Sequence, residues 1–315
     1  MSMKTGVIKF VTGLFFLLGV MYVGGSLFFA NVLINSDTQT LANSQQRMAD
    51  LDYHAADLSE PESVTIANDE VSLAAFFYDN QADGRCAVLM LHGYTSTRYG
   101  VLQYADPFWQ RGCDLLAYDA RGHGESSDAY HTYGYYEKFD GQAAYEWLLH
   151  KTGLPATDVG IMGVSYGAAT SLQMVPLIPD AAFVVADSAY QDLRTIVVYQ
   201  AAEQFGEWTR PFAPGAFFIA QLRANFNIDD VSPQNAGIGT VIPILLIHAR
   251  ADTFTPPANS EAIYAHSNPA TTELHITEYG TAHARSILDD YEAYKALVDN
   301  FLDDKVPDFG LANGR

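Results

Sequence analysis

The chain has 315 residues, 49% of them apolar, with a formal charge of −20 and an isoelectric point near 4.6. That length and apolar content suit one large α/β domain with an insertion, or two small domains, and a core that needs no staples. Like charges repel, so the acidic balance argues against a nucleic-acid partner and against broad adsorption on anionic lipid.

Residues 10–34 carry no charge and are rich in Phe, Leu, Val, Gly and Met, a run long enough to cross a bilayer as a helix. Lys4 and Lys9 precede it, whereas Asp37 follows with no base before Arg47. Positive-inside logic puts the N-terminus in the cytoplasm and the rest of the chain outside. Gly24-Gly25-Ser26 also offers a signal-peptidase site, after which a mature chain would begin at Leu27. The apolar run continues well past that site, which favours an uncleaved anchor over a secreted form.

Residues 35–60 are polar and read as a tether with one loose helix near 45–51, closed by Pro61. Residues 64–67 and 71–78 predict a hairpin at a sheet edge. The run 87–91 reads as a strand buried on both faces, ending in His92-Gly93-Tyr94-Thr95-Ser96-Thr97. A helix is predicted over 99–110, a strand over 114–118 leading into Asp119-Ala120-Arg121-Gly122-His123-Gly124-Glu125-Ser126, and a helix over 137–150.

Next, a short apolar run enters Gly163-Val164-Ser165-Tyr166-Gly167 and a helical pattern follows. A strand turning sharply into a helix at a Ser flanked by two Gly is the nucleophile-elbow pattern, and the glycines are there because a Cβ would press on neighbouring backbone. Strands at 183–186, 242–247 and 273–277 alternate with helices at 261–266 and 287–302. Such alternation means a mostly parallel sheet covered on both faces.

Residues 191–240 interrupt the rhythm with two helical segments, 193–205 and 216–226, and many aromatics, and read as a cap over the carboxyl end of the sheet. The expected division is an anchor at 1–34, a tether at 35–60, a core at 61–190 and 241–304, a cap at 191–240 and a tail at 305–315. Cys86 and Cys113 each open an apolar run and read as two buried free thiols. A disulfide is open to them only if the domain lies outside the cytoplasm.

A serine hydroxyl attacks only when a base takes its proton and a third group orients that base. His283, in Gly280-Thr281-Ala282-His283-Ala284, lies between the last strand and the last helix, where that base belongs. Asp252 follows the strand ending in Ile247, and the order Ser165, Asp252, His283 fits the pattern. Asp187, at the end of the strand after the elbow, is its rival. The oxyanion donors are assigned to the backbone N–H groups of Tyr166 and Tyr94. His92 reads as a loop-ordering residue, not as a base.

The segments H-G-Y, D-A-R-G-H-G-E-S, G-V-S-Y-G, P-I-L-L-I-H-A-R-A-D-T-F-T-P and G-T-A-H resemble the α/β-hydrolase superfamily over roughly residues 62–303. The anchor, the H-G-Y-T-S-T loop and the D-V-S-P segment make the chain similar to membrane-anchored bacterial hydrolases labelled serine aminopeptidase-like or monoacylglycerol-lipase-like. The resemblance implies an eight-stranded, mostly parallel sheet with helices on both faces and a small helical cap, no cofactor, and an acyl-enzyme at Ser165. No metal site is assigned. Arg121-Gly122-His123-Gly124 matches a structural loop of the superfamily, so His123 is not given a catalytic role. Ala249 and Arg250 depart from the usual pattern before the acid. Ser165 argues against dehalogenases and epoxide hydrolases, which carry Asp at the elbow.

The expected activity is hydrolysis of a small-molecule carboxylic ester of short to medium acyl chain. An amide hydrolase, with Glu203 or Glu207 anchoring a substrate amine, is the alternative. A non-catalytic binding module is disfavoured because all three triad candidates are present.

Overall fold

The structure is a computed structural model that describes residues 3–82 and 85–310, with side chains only from residue 7 onward at the N-terminus. The first two residues of the expected anchor, the side chain of Lys4 and residues 311–315 of the expected tail lie outside the described residues.

The elements run in the order α1 (Met3–Ile34), α2 (Leu41–Asp50), β1 (Glu62–Asn68), β2 (Val71–Tyr78), β3 (Cys86–Leu91), α3 (Asp106–Trp109), β4 (Cys113–Tyr118) and α4 (Glu137–Thr152). They continue with β5 (Val159–Val164), α5 (Tyr166–Met174), β6 (Val184–Asp187), α6 (Leu193–Phe205), α7 (Ala213–Ala224) and α8 (Pro233–Ala236). Last come β7 (Ile244–Ala249), α9 (Ala258–His266), β8 (Thr272–Thr277), α10 (Ser286–Asp289) and α11 (Tyr291–Lys305).

The eight strands form one sheet in the order β1-β2-β4-β3-β5-β6-β7-β8. The pairs β1/β2 and β2/β4 are antiparallel and every other pair is parallel. The central strands are buried on both faces, which is why they read as unbroken apolar runs. Within β3 the alternation divides the core: Ala87, Leu89 and Leu91 face the layer of α4 and α5, while Val88 and Met90 face that of α3 and α11. A third apolar cluster joins α6 and α7 to the last turns of α1 through Leu193, Ile196, Phe217, Ala30 and Ile34.

Three expectations require correction. Cys86 and Cys113 are bonded to each other, not free. They are register partners on the neighbouring strands β3 and β4, with Cα atoms 4.5 Å apart, within the reach of a disulfide. The helix predicted over 99–110 is only a 3-10 turn, Leu102–Tyr104, followed by the single turn α3, because Pro107 has no N–H for a continuous ladder and starts a new turn instead. The closing helix is split at Asp290, whose extended backbone and carboxylate, accepting from the Ala293 N–H at 3.0 Å, make it an N-cap for α11.

Segment 35–60 lies along the domain. The ring of His54 stacks on that of Tyr291 at 3.9 Å, and the Ser59 hydroxyl donates to the Asp79 carbonyl at 3.0 Å. At the other end of the chain Phe309 is buried, and its carbonyl accepts from Arg111 at 3.3 Å.

Helix α1 has two parts. From residue 7 through residue 24 it is exposed, and over residues 7–34 its mean hydropathy is 2.0, so it is long and apolar enough to span a membrane or to act as a signal sequence. From Tyr22 onward it meets the cap: Tyr22 stacks on Phe212 at 5.8 Å, and Phe29 packs against Phe205 at 5.6 Å. The crossing is close because the residues there are small. A Cβ on Gly25 would fall 2.4 Å from the Phe212 ring, and one on Gly215 would fall 2.3 Å from the Ser26 hydroxyl.

Candidate active site

The elbow is built on steric necessity. A Cβ on Gly163 would stand 2.4 Å from the carbonyl oxygen of Gly167, and a Cβ on Gly167 would stand 2.2 Å from that of Leu91. Both obstacles are backbone and cannot rotate away, so only glycine lets α5 leave β5 at so sharp an angle. Between them Ser165 takes φ 55° and ψ −113°, a conformation costly for an L-residue and held here by the Ser165 N–H donating to the Asp187 carbonyl at 2.7 Å.

The Ser165 hydroxyl lies 2.8 Å from His283 Nε2, and His283 Nδ1 lies 2.6 Å from Asp252 Oδ2. Asp252 is buried, and its other oxygen accepts the N–H groups of Phe254 at 2.9 Å and Thr255 at 2.8 Å. Burial pushes its carboxyl up. Hydrogen bonds from His248 and His283, the nearby charge of His283 and the Thr255 N–H more than offset that and hold it well below the ordinary carboxylate range. With Asp252 ionised, His283 keeps its proton on Nδ1 and leaves Nε2 free to accept the serine proton.

Asp187 is also fully buried, but its hydrogen bond is to the hydroxyl of its own neighbour Ser188 at 2.7 Å. Burial pushes its carboxyl up. Among the described residues the His283 ring bonds Asp252 and Ser165, not Asp187.

The Tyr166 N–H opens α5, where a helix has donors without intrahelical acceptors. The loop carrying Tyr94 runs alongside: a Cβ on Gly93 would meet the Ser165 Cβ at 3.7 Å. His92 fixes that loop. Its Nε2 accepts from the Ala120 N–H at 3.0 Å and its Nδ1–H donates to the Gly93 carbonyl at 2.8 Å, a neutral ring kept so by burial. His123 is likewise buried and neutral, with Nε2 accepting from the Thr95 N–H at 3.3 Å.

Several contributors escaped the sequence reading. His248 shares Asp252 Oδ2 at 3.1 Å while donating to the Thr255 carbonyl at 2.6 Å, so a second imidazole steadies the carboxylate. Its place four residues before Asp252 at a strand end was the available signal. Arg98 is buried against Asp119, whose Oδ1 also accepts the Arg98 N–H at 2.6 Å, which ties the loop after β3 to the loop after β4. Nothing in the sequence announces the contacts of α1. Its last carbonyls, which have no acceptor role left within the helix, accept from the Tyr133 hydroxyl at 3.0 Å (Leu33) and from the His131 N–H at 3.0 Å (Ile34). The Tyr94 hydroxyl makes a longer contact, 3.5 Å, with the Leu33 carbonyl.

A cavity of about 570 Å³ lies against the loops that carry the site, walled by Tyr94 and by Thr253 and Phe254 rather than by the side chains of Ser165, Asp252 and His283 themselves. Its walls include Val197 and Phe205 of α6, Phe217 of α7, Val32 of α1, Tyr94 beside the serine, and Phe254, whose ring packs 5.1 Å from that of His283. Glu207 is ion-paired with Arg210 on the surface, whereas Glu203 lines the cavity and among the described residues makes no ion pair. Among the described residues no cluster of His, Cys, Asp and Glu is arranged to hold a metal ion.

Residues 88–298 match the alpha/beta hydrolase family. The uncharacterized protein YqkD of Bacillus subtilis is 30% identical over 218 residues, 69% of this chain and 70% of that protein. YfhR of Salmonella typhi, also uncharacterized, is 26% identical over 215 residues, 66% of this chain and 70% of that protein. Among solved structures, a Pyrococcus furiosus esterase superposes with a TM-score of 0.64 at 25% identity, covering 80% of this chain and 96% of the esterase. An acylaminoacyl peptidase of Pyrococcus horikoshii superposes with a TM-score of 0.63 at 17% identity, over 87% of this chain and 45% of the peptidase, a likeness of fold alone. With the fold, the elbow and these likenesses in one chain, the protein belongs to the alpha/beta hydrolase family.

Proposed function

We propose that the protein is a serine hydrolase that cleaves carboxylic esters of short to medium acyl chain through an acyl-enzyme at Ser165. The observation that carries this reading is the unbroken run of hydrogen bonds from the Ser165 hydroxyl through His283 to Asp252, at 2.8 and 2.6 Å. In the first step the Ser165 oxygen attacks the ester carbonyl carbon while His283 Nε2 takes its proton. The imidazolium is stabilised by Asp252. The tetrahedral oxyanion accepts from the N–H groups of Tyr94 and Tyr166, each donor contributing about 3–4 kcal/mol in such sites. Collapse expels the alcohol with the proton from His283. Water then enters by the same route, and the acid leaves with Ser165 restored.

The likeness to a 25% identical esterase supports an ester substrate. An amide substrate is the second reading, favoured by one feature, the Glu203 carboxylate on the cavity wall. The test is hydrolysis of p-nitrophenyl esters from acetate to palmitate by the full chain, with Ser165→Ala as control. Activity that peaks at short or middle chains and vanishes in the variant is expected. Hydrolysis of aminoacyl amides with no Ser165-dependent ester cleavage would replace the reading with the second.

We place the catalytic domain on the extracytoplasmic side of a membrane, held by an uncleaved α1. The Cys86–Cys113 bond supports an oxidising compartment. The packing of Gly25 and Ser26 against the cap gives those small residues a role other than cleavage. N-terminal sequencing of the mature protein checks this, and an N-terminal Leu27 would overturn it.

A further inference from the structure

The cavity beside Ser165 is not walled by the hydrolase domain alone. Phe29, Val32 and Leu33 line one side, and all three belong to the helix proposed above as the membrane anchor. The last turn is bound to the site by the Tyr133 hydroxyl on the Leu33 carbonyl, and just beyond the helix the Gln39 N–H donates to the Thr95 carbonyl at 2.8 Å. A helix that served only to tether the domain would have no reason to share a wall with the substrate cavity.

The helix's length fixes where the membrane lies. Packing against the cap begins at Tyr22, so the free, uncharged stretch 10–21 is only about 18 Å of helix. A hydrocarbon layer of ~30 Å cannot be filled by that alone. The layer must therefore reach past Tyr22 and surround the first turns of the segment docked on the cap. There the cap presents Trp208, whose ring lies 6.1 Å from that of Phe29, and Phe218, one turn after the Gly215 that meets Ser26; both are more than 60% exposed. On α1 itself Leu27 and Phe28 are exposed as well, so helix and cap both turn apolar side chains outward, and Trp is at home at the lipid–water boundary. The chain's charge of −20 keeps the rest of the surface from binding anionic lipid, which confines the contact to these apolar side chains.

Resting on the serine-esterase reading, we propose that the substrate is a single-chain amphiphilic ester drawn from the bilayer itself, its acyl chain held in the cavity between the anchor helix and the cap with the ester carbonyl at Ser165. At about 570 Å³ the cavity is of the size that takes one small ligand, which matches a single acyl chain. The anchor helix is then a specificity element as well as a tether.

The full chain in nanodiscs of a zwitterionic phospholipid tests this in two ways. First, Val32→Trp fills the cavity from the helix side and is expected to lower the laurate-to-acetate ratio of kcat/KM for p-nitrophenyl esters at least tenfold. A ratio within twofold of wild type overturns the proposal. Second, a C12 amphiphile bearing a terminal diazirine, added to the Ser165→Ala protein, is expected to label both residues 29–33 and residues 197–205 on irradiation. Labelling of neither segment overturns the proposal whatever the kinetics. Because labelling needs no turnover, chain capture without Ser165-dependent ester cleavage would retain the pocket and remove the esterase reading instead.

Discussion

Replacing Asp252 by Asn isolates what the carboxylate does, because its surroundings dictate how the amide must sit. Oδ1 accepts two backbone N–H groups, from Phe254 at 2.9 Å and Thr255 at 2.8 Å. An amide can meet those donors only with its oxygen, so its NH2 group is forced into the position of Oδ2, facing His283 Nδ1. There it donates. His283 must then accept on Nδ1 and carry its proton on Nε2, which leaves nothing to receive the proton of Ser165. The fold should survive, since His248 keeps its hydrogen bond to the Thr255 carbonyl at 2.6 Å. A tautomer locked the wrong way lowers turnover by about 10⁴-fold in serine enzymes, or about 5.5 kcal/mol of barrier. The assay is p-nitrophenyl butyrate hydrolysis by the full chain, with thermal unfolding as a check on the fold. A folded Asp252→Asn protein within tenfold of wild type would refute the assignment. A 10⁴-fold loss in Asp187→Asn with none in Asp252→Asn would transfer the role to Asp187.

The same carboxylate has a pH signature. Because the native state holds Asp252 below the usual range, its ionised form stabilises the fold fully above its unfolded value of about 3.9 and that contribution fades as pH falls through the lower native value. Denaturant unfolding of wild type and Asp252→Asn should show a constant stability difference above about pH 5 and a shrinking one below about pH 4; a difference that instead grows on acidification contradicts this. Gly167→Ala puts a methyl 2.2 Å from the Leu91 carbonyl oxygen, so the elbow must move and kcat/KM should fall about 100-fold. Gly153→Ala, at φ +69° with open space around it, should cost only about 1 kcal/mol of stability and leave the kinetics alone. Equal activity in the two variants would discredit the steric account. Removing the Cys86–Cys113 bond, which spans a sequence separation of 27, should lower stability by about 3–4 kcal/mol. Unfolding curves of wild type and the double Cys→Ala variant that coincide would show that the bond contributes nothing.

The sequence and the structure agree where the cause is local. The central strands were legible because a strand buried on both faces must be apolar throughout. The elbow was legible because Gly163 and Gly167 are required by backbone that comes close whatever lies beyond. Local causes also misled. The helix expected over 99–110 failed because Pro107 has no N–H to give and Gly100 adds backbone entropy that the apolar pattern ignores. Asp290 in the last helix has an alternative to continuing it, namely capping the next one.

What the sequence by itself determined is the hydrolase sheet, the order of Ser165, Asp252 and His283, and an apolar N-terminal run, since each is written in adjacent residues or in the sequence of strand ends. Only the tertiary structure decided which carboxylate meets His283, because Asp187 closes β6 and Asp252 lies in the turn just past β7, both at the same edge of one sheet. It alone paired Cys86 with Cys113, since pairing depends on strand register and not on spacing. It alone brought Val32 into the cavity beside Ser165, because contacts between residues more than a hundred positions apart are set by how helices pack, and no periodicity records that.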